Sequence, residues 1–183
     1  VKGGSVRLQS TGDVTLAPGS LIDASAGASM SLKGSIKGGR GGDVALVTGH
    51  SVNGIAPTPG ALSFDGDIRA YGFEGGGTLT VQVGERDVSI AGDAAASDSL
   101  MALSAGLFST GFSHYVVSTN RGMRVDGNIE AVVPVYRPTP AGLAAATDSE
   151  ISNVAELWLP SRYLENSAAG MLTQRAGADI ALI

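Results

Sequence analysis

Short runs in which apolar and polar residues alternate recur along the first two thirds of the chain. An alternation with a period of two places one set of side chains on each face of an extended strand. The pattern therefore predicts β-strands at 6–8, 14–16, 30–32, 44–46, 62–64, 79–83, 88–90 and 123–125.

Many of these strands follow a glycine-led phrase that the chain repeats. Paired glycines open the phrases at 3–8, 41–46 and 75–81, and a Gly-x-Ile phrase stands at 34–36, 66–68 and 127–129. Most of these strand starts lie about 14 to 18 residues apart, while the paired-glycine phrases lie 38 and 34 apart. Repetition of this kind is typical of a solenoid. With about 20 residues per coil, the spacings predict one and two coils of a parallel β-helix. About seven coils over 1–136 would make a rod of ~35 Å.

The repeat is interrupted near three prolines. Pro134, Pro138 and Pro140 exclude a central strand, because proline cannot donate to a ladder. Asp148 or Ser149 could cap a short helix that ends at Pro160, and a second helical turn is expected within 161–169, ending at Gly170. The sequence thus predicts β-helix coils over 1–136, a partly helical insertion over 137–176, and a resumed strand over 177–183.

Composition supports a narrow aliphatic core and limits the functions that the chain can have. Glycine contributes 27 of 183 residues, aromatic residues 5%, and hydrophobic residues 43%. The absence of cysteine excludes disulfides, thiol catalysis and cysteine-based zinc sites. The net charge of -5 and scattered basic residues argue against nucleic-acid binding. No apolar stretch is long enough for a membrane helix. Both ends fall inside a repeat, so we expect a segment of a longer protein.

Two phrases carry a resemblance to a known family. Gly-Ser-Leu-Ile-Asp-Ala-Ser-Ala-Gly at 19–27 and Asp-Gly-Asp-Ile-Arg-Ala at 65–70, each leading to glycine-rich corners and a Val-x-Leu strand, resemble the filamentous haemagglutinins. These are large exoproteins of Gram-negative two-partner secretion systems. The resemblance covers about 1–133 and the last few residues. It implies a right-handed parallel β-helix, export through an outer-membrane partner, and adhesion or presentation of a distal domain.

Two glycine-rich segments invite ligand-binding interpretations. The segment 38–46 partly fits a calcium-binding nonapeptide, with Asp43 and backbone carbonyls around the ion. Ala45 stands where that repeat needs a large apolar residue, and the tandem copy is missing, so a glycine corner is the preferred interpretation. The run 72–77 leads into a predicted strand rather than a helix, which favours a corner over a phosphate loop.

Carboxylates and histidines give weak catalytic signals. Asp65 and Asp67 have a spacing that a glycoside hydrolase could use, but they flank Gly66 at a predicted turn, where both would be solvated. His50 follows a glycine as in β-helical pectinases, without their companion motifs. His114 has no acidic or histidine partner at ligand spacing. We therefore predict no enzyme activity, no catalytic or metal-binding residues and no cofactor. A polysaccharide-degrading enzyme is kept as an alternative.

The remaining candidates for ligand contact lie in the predicted insertion. Trp158, the only tryptophan, could stack on a sugar or anchor the insertion to the rod, and anchoring is preferred. Arg162 and Tyr163 share this ambiguity.

The predicted function is that of a shaft segment in a secreted bacterial surface adhesin, which contacts a host or neighbouring cell surface. Alternatives are a module that binds glycans or a receptor through 137–176, and the stalk of a contact-dependent growth-inhibition toxin. The expected partners include an outer-membrane secretion protein, with no nucleic acid and no membrane insertion.

Overall fold

The fold is all-β. The computed structural model describes residues 1–31, 36–93, 95–144, 151–161, 163–166, 168, 170–174 and 177–183. Two short α-helices, α1 (Pro140–Ala144) and α2 (Ile151–Val154), and a 3-10 helix at Ala105–Ser109 accompany the strands. The strands are β1 (Ser5–Gln9), β2 (Val14–Leu16), β3 (Leu21–Asp23), β4 (Ala28–Met30), β5 (Ile36–Gly38), β6 (Asp43–Thr48), β7 (Leu62–Phe64), β8 (Asp67–Arg69), β9 (Thr78–Val83), β10 (Asp87–Ile90), β11 (Leu100–Leu103), β12 (His114–Thr119), β13 (Met123–Val125), β14 (Val135–Pro138), β15 (Ala155–Trp158), β16 (Tyr163–Asn166), β17 (Met171–Gln174) and β18 (Asp179–Leu182).

The largest sheet is parallel and has the order β1-β6-β9-β12-β18. Val6 pairs with Val44, Val44 with Leu79, and Leu79 with Tyr115, so each step along the chain is close to the spacing of the paired-glycine phrases. Strands one such step apart are immediate neighbours. The prediction that this spacing spans two coils, and hence the count of seven, is wrong: four strands of the sheet cover the region assigned to seven coils.

Alternation along these strands buries one face of the sheet. In β9 the apolar side chains of Leu79, Val81 and Val83 are at most 1% exposed, while the polar residues between them are half-buried. The same period of two that predicted the strand therefore also sets which face meets the core. The largest fully buried side chains are Tyr115, Phe108, Phe112, Leu46, Leu79, Ile90, Val44, Val47, Val81, Val83, Val88 and Val117.

The smaller sheets before residue 136 are parallel with one exception: β4 pairs with β5 in an antiparallel manner, so the prediction of parallel coils over 1–136 is wrong for this segment. β2 pairs with β7, β3 with β8, and β10 with both β11 and β13, all in parallel. The connection from β2 to β7 is longer than the step of the large sheet, because it contains the loop 51–59. That loop contains a tight turn at Asn53 and Gly54, which adopt positive φ angles of 51° and 79°.

The period-two pattern located its strands well. The predictions at 6–8, 14–16, 44–46, 62–64, 79–83, 88–90 and 123–125 are confirmed. Of the strand predicted at 30–32, Met30 is the last residue of β4, and Leu32 lies outside the described ranges.

The region after Pro134 differs from its predicted helical character. β14 and β15 form an antiparallel pair, as do β16 and β17. The helical turn expected within 161–169 is wrong, because Tyr163–Asn166 is a strand held by its antiparallel partner and Gly170 supplies a turn at φ 61°. Of the helix expected from Asp148 or Ser149 to Pro160, the structure has α2, and both capping candidates lie outside the described ranges. The predicted end at Pro160 is wrong, because 155–158 form β15, which is held by its antiparallel partner β14. The division at 137 and 176 stays a prediction, although β18 pairs with β12.

Candidate functional site

We call the parallel strands β1–β3, β6–β13 and β18, with their connecting loops, the parallel region. The antiparallel pair β14–β15 packs against it through backbone and aromatic contacts. Val135 forms a parallel bridge with Gly72, and the Tyr136 N–H donates to the Gly72 carbonyl at 3.0 Å. The Tyr136 ring lies 6.0 Å from Tyr71, edge to face, and 5.6 Å from Phe73. Edge and tilted contacts at these separations are favourable for aromatic pairs. The aromatic contacts therefore fix the pair on one side of the core.

Trp158 ends β15 and faces a cation. The pairing register places Val135 opposite Trp158 and Arg137 opposite Glu156, so these four side chains share one face of the pair. The Arg137 guanidinium lies 5.3 Å from the centre of the indole, within cation–π range. It also donates two hydrogen bonds to Glu156 Oε1, so the local charge of Arg137 is balanced.

An open groove of about 380 Å³ lies between this pair on one side and, on the other, β5, which pairs antiparallel with β4, and the loop residues Phe73 and Glu74. Aromatic and aliphatic surface dominates its walls, with the exposed Glu74 carboxylate and Arg137 as its charged groups. Apolar walls with a few polar groups are the usual chemistry of a small-molecule site. The lining residues are Ile36, Gly38, Phe73, Glu74, Val135, Tyr136, Arg137, Pro138 and Trp158.

The structure separates the candidates that the sequence grouped together. Trp158 lines the groove and is half-buried. Tyr163 begins β16, is 52% exposed, and is not among the lining residues. Arg162 lies outside the described residues. Sequence reasoning missed Phe73, Tyr136 and Arg137. The available signal was a tyrosine and an arginine between prolines, which fits an edge strand that presents its side chains.

Asp43, the calcium candidate, has an internal role. Its Oδ1 accepts the Thr78 backbone N–H at 2.9 Å, which joins the beginnings of β6 and β9, and its Oδ2 lies 3.6 Å from Lys2 Nζ. Within the described ranges, no three His, Asp or Glu side chains are placed to share a metal ion. The run 72–77 leads directly into β9, as a corner would.

Asp65 and Asp67 are both exposed and have different surroundings. The Ser63 hydroxyl donates to Asp65 Oδ2 at 2.8 Å. Asp67 begins β8 and lines a second cleft of about 240 Å³ that Asp65 does not line. In this cleft the two carboxylates are therefore not paired. The other lining residues are Phe64, Gly66, Ile68, Ala102, Leu103, Ser104, Gly106, Leu107 and Thr110.

The sequence offers His114 no acidic partner at ligand spacing, but the fold supplies one from a distant strand. Its Nδ1 lies 3.0 Å from Asp179 Oδ2, and its Nε2 lies 3.0 Å from an Arg40 guanidinium nitrogen. Since arginine can only donate, Nε2 accepts and Nδ1 carries the proton toward Asp179. His114 and Asp179 are distant in sequence and meet because β12 pairs with β18. His50 instead lies with Nδ1 2.8 Å from its near neighbour, the Thr48 carbonyl.

Shifted pKa values occur where side chains join strands or lie in the core. Burial opposes ionisation of Asp23, but hydrogen bonds from Ser25 and Arg69 outweigh it and lower the pKa of Asp23. Hydrogen bonds from Ser89 and Arg124 lower the pKa of Asp126. Burial raises the pKa of Tyr71, which packs beside the groove residue Tyr136, so its hydroxyl stays protonated near neutral pH.

Burial also raises the pKa of Tyr115, whose hydroxyl lies in the core and has no hydrogen-bond partner among the residues that the structure describes. Polar groups of Thr110 and Phe112 partly oppose the shift, although none of them meets hydrogen-bond geometry.

Among the described residues, no helix has the length and apolar character of a membrane span. Comparisons of the chain with protein-family models, curated proteins and solved structures gave no match.

Proposed function

We propose that this chain is a rigid shaft segment of a secreted bacterial surface adhesin, built as a right-handed parallel β-helix that extends a binding or effector region away from the cell. The observation that carries the proposal is the in-register parallel pairing of β1, β6, β9 and β12 at a nearly constant step along the chain. Strands that pair at a constant step are what successive coils of a solenoid produce.

Close stacking at the corners supports the coil interpretation. A Cβ on Gly42 would overlap the carbonyl oxygen of Gly4, and a Cβ on Gly77 would overlap that of Gly42. Each of these glycines precedes a strand of the large sheet. Glycine is therefore needed where the backbone of one coil approaches the next.

The secretion pathway rests on the filamentous-haemagglutinin resemblance. The two phrases that carry it contain β3 and β8, which pair with each other, and Asp23 accepts a hydrogen bond from Arg69 across the pair at 2.9 Å. In this proposal, the parent protein leaves the cell through an outer-membrane partner and acts at a host or neighbouring cell surface. The stalk of a contact-dependent growth-inhibition toxin would use the same architecture.

A graft tests the shaft function. Residues 1–183 would replace a shaft segment of similar length in a filamentous haemagglutinin that is expressed with its secretion partner. We expect secretion and adhesion to be retained, because a rigid β-helix of similar length should hold the adhesive region at the same distance from the cell. The matched control is Leu79→Asp in the graft, which places a charge in the core and should abolish both. Retained secretion with lost adhesion, or failed secretion of a folded graft, would contradict the proposal.

A second candidate function, saccharide binding, is favoured by the groove. An indole, a phenol and a phenyl ring along an open cleft provide stacking surfaces for pyranose rings. Because Arg137 is paired with Glu156 and Glu74 lines the cleft, the groove suits a neutral glycan better than an acidic one.

Glycan-array binding tests this function. We expect binding to neutral glycans that Trp158→Ala reduces at least tenfold, whereas Tyr163→Ala, an exposed aromatic outside the groove, leaves it unchanged. Equal loss in both variants, or binding confined to acidic glycans, would argue against the groove. Deletion of 137–176 should abolish binding as well.

A further inference from the structure

Parallel pairing is interrupted inside the parallel region, between β8 and β11. Among the described residues, β8 pairs only with β3, and β11 pairs only with β10. In the large sheet, by contrast, β6, β9 and β12 each pair on both sides. β8 and β11 therefore each have one edge without a neighbouring strand in the described part of the chain, and such an edge can accept another strand.

The pairing register shows which backbone groups of β8 lie on its open edge. The Asp67 N–H donates to the Ser20 carbonyl at 2.8 Å, at the β3 edge. Two residues later, the Arg69 carbonyl accepts the Ala24 N–H at the same edge, also at 2.8 Å. Because successive residues of a strand direct their backbone groups to opposite edges, the N–H and C=O of Ile68 lie on the open edge. Ile68 makes no backbone hydrogen bond there within the described ranges.

The open edge of β11 has the same arrangement. The Ser99 and Leu103 carbonyls accept the N–H groups of Asp87 and Ala91, at 2.9 Å and 2.8 Å, on the β10 side. By the same alternation, the N–H and C=O of Ala102 lie on the other side. They have no backbone partner among the residues that the structure describes.

The cleft of about 240 Å³ joins these two open edges. Ile68 lines one of its walls and Ala102 the other, so it is lined by the two residues whose backbone groups are unpaired. Ile68 is 5% exposed, and backbone groups of a buried residue cost free energy until a partner satisfies them. Just beyond β8, the Ala70 N–H donates to the Thr110 carbonyl at 3.2 Å, so direct contact between the walls resumes there and bounds the cleft.

An extended polypeptide has the chemistry that satisfies both walls. It carries N–H and C=O groups on both of its edges, and adding such a strand to an open sheet edge is a common mode of peptide recognition. Phe64, Leu103 and Leu107 provide apolar surface in the cleft. Asp67 contributes an exposed carboxylate, and no basic residue is among the described lining residues. The cleft therefore favours a segment with an apolar and a basic side chain.

We propose that the cleft between β8 and β11 binds a short extended segment of a partner protein, which adds in parallel to β8. The register of β3 with β8 provides the template: an apolar residue of the segment lies beside Ile68, and the basic residue that precedes it lies beside Asp67. The bound segment continues the sheet from β8 and offers its other edge to Ala102. Water is the competing occupant of the cleft.

Fluorescence anisotropy with a labelled synthetic peptide tests the proposal. The peptide has the central sequence Lys-Val-Thr with serines on both sides, so that its lysine lies beside Asp67 and its valine beside Ile68. N-methylation of the threonine removes the N–H that would donate to the Ile68 carbonyl. We expect this change to weaken binding by at least about tenfold, because it leaves that carbonyl unpaired. The matched control, N-methylation of an outer serine, should leave binding unchanged.

Two carboxylate variants test the charge. Asp67→Asn should weaken binding of this peptide by up to about fivefold, as expected for an exposed ion pair. Asp65→Asn removes a neighbouring exposed carboxylate that does not line the cleft, and it should leave binding unchanged. Ser104→Trp, at an exposed lining residue, should fill the cleft and abolish binding. Circular dichroism and melting temperature should match the wild type in the two carboxylate variants.

Amide hydrogen exchange followed by NMR locates the bound peptide. Saturating peptide should slow exchange of the Ile68 and Ala102 N–H groups, which have no described partner in the free chain. Absence of peptide binding, equal loss from both N-methylated peptides, or binding that leaves exchange at these two amides unchanged would overturn the proposal. Each of these results would leave the proposed shaft function standing, because that function depends on contacts within the chain.

Discussion

The parallel sheet and the β14–β15 pair hold their apolar residues in opposite ways. Leu79, in the middle of the sheet, is 1% exposed, whereas Leu157 on β15 is 48% exposed and Leu159 beyond it 56%. In the sheet, every inner strand has a neighbour on both sides that covers its side chains. The antiparallel pair consists of two strands, and the rest of the protein supports it on one side. Stability should therefore concentrate in the sheet rather than in the pair.

The largest expected difference compares Leu79→Ala with Leu157→Ala. Leu79→Ala removes buried methyl groups between Val44 and Tyr115 and should cost ~2–5 kcal/mol of unfolding free energy. Leu157→Ala should cost less than ~1 kcal/mol, since the side chain is half exposed. Urea denaturation followed by circular dichroism measures both. Equal costs would show that the pair is as much a part of the core as the sheet.

These two regions also differ in what the sequence could predict. In β1, β6 and β9 apolar residues alternate with polar or small residues because one face is buried, so the sequence predicts these strands. β12 belongs to the same sheet but was not predicted, because its Tyr-Val-Val run hides the alternation. Tyr163–Asn166 carries residues that suit a helix, and it becomes a strand through pairing with Met171–Gln174, which no local pattern reveals. The sequence predicted only part of the groove. Trp158 stood out as a lone tryptophan, but Phe73 joins it in the groove from a distant part of the chain.

The next effect concerns the close approach of strands in the sheet. Gly42→Ala would force a methyl group into the Gly4 carbonyl and should cost ~1–3 kcal/mol, because backbone must shift. Gly106→Ala, with ordinary contact distances, should leave the unfolding free energy close to that of the wild type. Thermal unfolding compares the two. If both variants melt alike, the corner glycines are not set by contact between strands.

Removing a buried hydroxyl from the core should change the unfolding free energy in the opposite direction, toward equal or higher stability. Within the described part of the chain the buried Tyr115 hydroxyl has no hydrogen-bond partner, so Tyr115→Phe should be neutral or stabilise by up to ~1 kcal/mol. The raised pKa of Tyr115 means that stability is complete below the unfolded value of about 10 and falls as pH rises above it. Denaturation midpoints between neutral pH and alkaline pH should therefore fall less steeply in Tyr115→Phe. A marked loss of stability at neutral pH would reveal a hydrogen bond to this hydroxyl.

The smallest effect tests the polar link between β3 and β8, which belong to the parallel region but lie on its surface. The pKa of Asp23 is lower in the folded protein than in the unfolded chain, so its ionised form favours folding. That contribution is present above the unfolded value of about 3.9 and is lost as pH falls through the lower folded value. Because the Asp23 and Arg69 side chains are 36% and 44% exposed, solvent screening should keep it below ~1 kcal/mol. Asp23→Asn should flatten the acid branch of a stability–pH curve, and added salt should shrink the difference from the wild type.

Glu156→Gln on the antiparallel pair is the matched comparison, because it breaks an exposed ion pair outside the parallel region. A larger acid effect from Glu156→Gln than from Asp23→Asn would mean that the pair, and not the parallel stack, limits stability at low pH.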